Sequence, residues 1–143
     1  MTPDRMEIAR RLVACKGWVW LPGMLAASKH DDEQDAPGWR IAHIYGHSGL
    51  ALAARINHLG EDDACDIGLW ECVPDLDDDL TRLGVLAVVR RAWDDERIDL
   101  VWGSGEWSCW RSYKTQVGDM NEYIGNGPTE DSALLAALEA APK

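Results

Sequence analysis

The chain has 143 residues, enough to bury one core and too few for two ordinary domains. Its 46% hydrophobic content excludes a disordered chain. A net charge of −11 opposes direct contact with nucleic acid phosphates and favours a basic partner.

The charge is unevenly spread. Residues 31–99 hold 17 Asp and Glu against 6 Arg, while the remainder balances at 8 against 8. The acids come in runs: Asp31-Asp32-Glu33, Glu61-Asp62-Asp63, Asp77-Asp78-Asp79 and Asp94-Asp95-Glu96. No apolar run approaches the ~18 residues of a membrane span, and Met1-Thr2-Pro3-Asp4-Arg5 has no apolar signal core, so a cytoplasmic location is expected. The four cysteines form no CxxC pair and are expected to be reduced.

In chain order, the first element reads as a helix over 3–16. Thr2 caps it, Pro3 suits its first turn, and Met6, Ala9, Leu12 and Val13 recur at helical spacing before Gly17. Around Pro22-Gly23, the apolar pairs on either side predict short strands. Residues 28–38 read as an acidic exposed loop. Trp39 to Tyr45 alternates as a strand with Trp39, Ile41 and His43 on one face. Leu50 to Leu59 is compatible either with a helix or with a hairpin strand that turns Leu50, Leu52 and Ala54 inward; pattern alone does not separate them.

Ile67 to Val73 predicts a strand that Pro74 stops. A helix over 79–93 follows, with Leu80, Leu83, Leu86, Ala87 and Trp93 on its apolar stripe, and Gly84 within it at a cost of roughly 1 kcal/mol against Ala. Acids at its start and Arg90-Arg91 at its end suit the helix dipole. Residues 97–102 and 107–113 flank Gly103-Ser104-Gly105-Glu106 as a hairpin, Met120 to Ile124 adds a further strand, and Thr129 caps a final helix over 129–141. Together these predict one α+β domain over 1–143: an antiparallel sheet of about four to six strands with three main helices packed on it.

The order of Pro74 to Trp93 and of Pro128 to Ala141, with the patch Trp18-Val-Trp-Leu-Pro-Gly-Met-Leu25, resembles small bacteriophage proteins of the phage α-β-α sandwich type. That resemblance implies a phage or prophage accessory product acting in the bacterial cytoplasm. It brings no catalytic residues with it.

Four constellations carry chemistry. His43 and His47, with Cys65 and Cys72, offer the imidazole and thiolate ligands that zinc prefers. The two cysteines have six residues between them, however, and the histidines straddle a strand and a turn. Asp75, Asp77, Asp78 and Asp79 offer oxygens to a hard cation, but an EF-hand counted from Asp75 would need Gly and Glu where Leu80 and Leu86 stand. Capping and solvation account for the cluster. Cys–His nucleophilic catalysis has no local signature, and Gly103-Ser104-Gly105 lacks the Lys and helix of a phosphate loop. Trp102, Trp107 and Trp110 lie on the hairpin, where sheet packing or a protein-binding anchor suits them better than base stacking.

The leading expectation is a non-catalytic phage protein that binds a basic surface of a host protein or nucleoprotein complex, an acidic anti-CRISPR-like inhibitor of nucleic-acid handling or defence. Asp75, Asp77, Asp78, Asp94, Asp95 and Glu96 would supply the charge, and Trp102 and Trp110 the anchors. A zinc-holding structural or regulatory module and an enzyme acting on a small substrate are the alternatives. The acidic reading needs carboxylates that internal Arg pairs do not neutralise.

Overall fold

The computed structural model describes residues 1–29, 38–46, 49–56 and 62–142. The acidic run at Asp31 to Glu33, and His47 and His58, lie outside them. The class is α+β, with three helices, a five-stranded sheet and a three-stranded sheet, both antiparallel. The chain divides into two compact units, Met1–Val13 with Trp20–Gly84, and Ala14–Val19 with Val85–Lys143.

In the first unit, α1 spans Pro3–Ala14 and buries Met6, Ala9 and Leu12. Its opening turn is held by Thr2, whose hydroxyl accepts from Arg5 N–H and whose carbonyl accepts from Met6 N–H. The five-stranded sheet has the order β4-β3-β2-β1-β5, from β1 (Leu25–Ser28), β2 (Trp39–Ile44), β3 (Leu50–Ile56), β4 (Asp62–Gly68) and β5 (Cys72–Pro74). Residues 50–56 are therefore strand. Ala51 and Ala53 face inward, the reverse of the inward Leu50, Leu52 and Ala54 expected of a strand here. In a run as uniformly apolar as Leu-Ala-Leu-Ala-Ala, alternation leaves the buried face open, and pairing decides it: Ala53 sits opposite the buried Ile41.

A bulge turns His43 away from Ile41. The register slips from Ile41 opposite Ala53 to His43 opposite Leu52, so Ile41 is buried and His43 exposed. Pro22-Gly23 has a strand on its C-terminal side only, where β1 starts at Leu25, and Gly23 takes φ +93° in the turn. The strand expected over 67–73 is split by a 3-10 turn at Leu69–Glu71 between β4 and β5.

Helix α2, Asp79–Trp93, lies where periodicity puts it, but buries a different side. Thr81, Val85, Val88 and Val89 are inside; Leu80 and Leu83 are 59% and 63% exposed, and Ala87 is exposed too. Gly84 belongs to the inner side, where Met24 lies so close that a Cβ there would meet its Cε at 2.7 Å.

In the second unit, β6 (Asp99–Gly103), β7 (Glu106–Thr115) and β8 (Gly118–Gly127) form a sheet in that order, and α3 (Glu130–Glu139) packs on β7 and β8. The seam is built from the smallest side chains. A Cβ on Gly125 would stand 2.7 Å from both the Ala133 carbonyl oxygen and the Ala137 Cα, so only glycine lets the α3 backbone come this near. Thr129 and Ser132 form a capping box at the start of α3. At its other end, Trp93 Nε1 donates to the Ala137 carbonyl at 2.8 Å, satisfying one of the acceptors that a helix end leaves open.

Candidate functional site: an acidic turn and an aromatic hairpin

The acids of the turn Asp75–Asp79 are engaged within the first unit. Asp78 stands just before α2, where its Oδ2 accepts from Thr81 N–H and Thr81 Oγ1 at 2.8 and 2.7 Å. The same carboxylate takes both terminal nitrogens of Arg40 at 2.8 Å, a bidentate pair. Arg40 also donates to the Gly23 carbonyl, and Thr81 Oγ1 accepts from Leu25 N–H. One carboxylate thus ties the start of α2 to β1 and β2. The Arg40 guanidinium, helped by Thr81, lowers the Asp78 pKa to about 2. Asp77 pairs with the Met1 amine and with Arg5, which hold its carboxyl below the usual range. Asp75 accepts from Asp77 N–H within the turn, and Asp79 pairs with Arg82.

The second unit treats its acidic run differently. Asp95 is buried between exposed neighbours, Asp94 and Glu96. Its Oδ1 accepts from Arg97 N–H at 3.0 Å and Arg97 Nε at 3.1 Å, while Oδ2 accepts from Arg111 Nε at 3.0 Å. Arg97 first, and then Arg111, bring its pKa down to about 2. Arg111 lies 5.7 Å from the Trp93 ring and 5.8 Å from that of Tyr113, which fixes its own position. Asp94 takes φ +51°, a left-handed conformation that Asp and Asn tolerate best. One inward carboxylate therefore sets the turn and holds two others outward; neither Asp94 nor Glu96 makes an ion pair among the described residues.

The turn leads into β6. There Val101 and Trp102 are exposed, Trp102 by 54% despite a tilted contact with Trp107 at 5.5 Å. Trp110 is half-buried and stacked on Tyr123, centroids 3.8 Å apart. Asp99, at the start of β6, is held by Arg90 at 3.3 Å. Sequence reasoning picked out Trp102 and Trp110 but not Tyr123, whose role follows from the cross-strand register that puts it opposite Trp110.

The metal candidates among the described residues do not converge. Cys65 shares the line of Ile41 and Ala53, whereas His43 shares that of Leu52 and Asp66, so the two project from opposite sides of the sheet. Cys72 is buried on β5 with its thiol toward the Gly68 carbonyl, and His47 lies outside the described residues. Among the described residues no three His, Cys, Asp or Glu are grouped to hold a metal ion. Nor are the buried thiols poised as nucleophiles: burial pushes the Cys109 pKa up to about 12, and that of Cys72 is also raised, chiefly by burial. Among the described residues, no helix is long and apolar enough to cross a membrane. No protein-family model, curated protein or solved structure matches the chain.

Proposed function

We propose that the protein is a non-catalytic binding protein whose second unit docks on a basic surface of a host protein or nucleoprotein complex. The context we propose is that of a phage or prophage accessory product acting as an anti-CRISPR-like inhibitor of nucleic-acid handling or defence. The observation that carries this reading is the turn Asp94–Arg97, in which a buried Asp95 holds Asp94 and Glu96 outward. Carboxylates carried on a turn whose backbone is already set lose little backbone freedom on meeting a cationic groove, and the overall charge of −11 speeds the encounter. The exposed indole of Trp102 supplies the apolar anchor that charge by itself does not. Asp95 then serves the binding surface indirectly, by fixing the backbone that presents it, while Asp75, Asp77 and Asp78 are engaged within the first unit. Half-buried Trp110 braces Tyr123.

Affinity capture from a bacterial host lysate, at low and at high salt, tests this. A basic protein should be retained at low salt and released as salt screens the contact. Its retention should fall about tenfold with Trp102→Ala and severalfold with the pair Asp94→Asn and Glu96→Gln. Capture of nothing, or of an acidic partner indifferent to salt, would sink the proposal.

A further inference from the structure

We infer that the outer edge of β8, Asp119–Tyr123, takes an extended basic segment of the partner as a fourth strand of the three-stranded sheet. This rests on the reading above and gives it a binding mode. Among the described residues the order β6-β7-β8 leaves β8 with a neighbour on one side only, and every residue from Lys114 to Tyr123 is exposed. Proteins blunt such edges with Pro, Lys, short strands or bulges. Asp119–Tyr123 contains neither Pro nor Lys, and its ladder is regular from Gly118 until the register slips beside Ile124. The opposite edge is shorter and partly occupied: β6 has five residues, and Arg90 Nε donates to the Ile98 carbonyl just before it.

Backbone direction follows from the hairpin. The two-residue loop Gln116–Val117 closes on the pair Thr115 and Gly118, and pairing alternates from there. The N–H and C=O groups of Asp119, Asn121 and Tyr123 accordingly point away from β7. They make three rungs over about 14 Å.

The side chains identify the occupant. Asp119 and Tyr123 lie on one face of the sheet, Met120 and Glu122 on the other, so each face offers one carboxylate and one exposed apolar group. Neither carboxylate is neutralised from β7. Arg111, opposite Glu122, is committed to Asp95, and Lys114, opposite Asp119, forms no ion pair with it. A strand that carries Lys or Arg among apolar residues complements this edge through backbone, charge and contact together. A second copy of the same edge would bring four carboxylates within the width of two strands, which is unfavourable.

The probe is a short synthetic peptide of alternating Lys and Val, added to the full chain while backbone amide exchange is followed by NMR. Exchange at Asp119, Asn121 and Tyr123 should slow by about tenfold at saturation. Met120 and Glu122, already bonded to β7, should change little. The same peptide N-methylated throughout, and a Glu-Val counterpart, should have no effect. Asp119→Asn with Glu122→Gln should weaken binding about fivefold. Protection that survives N-methylation would overturn strand addition. So would failure of the Lys-Val peptide to bind, or protection that grows with protein concentration in its absence, which would indicate pairing of two copies. A bound peptide that perturbs only Asp94 to Asp99 and Trp102 would also overturn strand addition, while leaving the basic-partner reading in place.

Discussion

Two acidic runs, one in each unit, are held in opposite ways. Around Asp77 and Asp78, the carboxylates are paired within the unit, where Asp78 caps α2 and takes Arg40 bidentately and Asp77 meets the chain's own amine at the surface. Around Asp94 to Glu96, a single carboxylate turns in, and its neighbours are left facing water. A cluster of acids in a sequence is thus no measure of an acidic surface. What matters is how many cations the tertiary structure brings to it: Arg40, Arg5 and the terminal amine in one place, Arg97 and Arg111 in the other.

The helix packing of the two units differs as well, and this gives the largest expected effect. Gly125 faces α3 backbone, which cannot yield, whereas Gly84 faces the flexible end of Met24. Gly125→Ala should cost about 3 kcal/mol or more in a denaturant titration. Gly84→Ala should stay within about 1 kcal/mol, since the gain in helix propensity offsets the displacement of Met24. Equal costs would mean that the two seams are alike.

Next in size is the response to acid. Asp78 and Asp95 both have native pKa values lowered to about 2. Their contribution is complete above the unfolded carboxylate range near pH 4 and is lost as pH falls through the native values, each on the order of 2 kcal/mol. Unfolding free energy measured between pH 5 and pH 2 (a window set by about these values) should therefore fall. Asp95→Asn should flatten that fall. An acid limb that Asp95→Asn does not alter would break the distinction between inward and outward acids.

The smallest effect concerns α2. Val85→Ala should cost about 1.5 kcal/mol, and Leu83→Ala, on the exposed side, less than about 0.5 kcal/mol. The reverse order would restore the leucine stripe to the core.

Much of the architecture was legible in the chain because it depends on local signals. Thr2 and Thr129 as caps, the bounds of α2 and the β6–β7 hairpin all rest on interactions within a few residues. The faces were harder to read. The leucines of α2 make the more apolar stripe, yet the valine side is buried, because Thr81 Oγ1 satisfies Leu25 N–H and Gly84 makes room for Met24. His43 left the face of Ile41 through one extra residue in β2, a slip that no spacing announces. Of the candidate site, Trp102 was visible as a residue, but the part played by Asp95 was not, since Arg111, one of the two arginines that draw it inward, reaches it only through the fold.

The amino-acid sequence by itself placed the three helices, the β6–β7 turn and the distribution of charge along the chain, since capping, turn chemistry and composition are short-range properties. Only the tertiary structure decided which carboxylates remain outside, which side of α2 is covered and which strand edge stays open. Those outcomes depend on partners far apart in the chain, among them Arg111 for Asp95 and Met24 for Gly84.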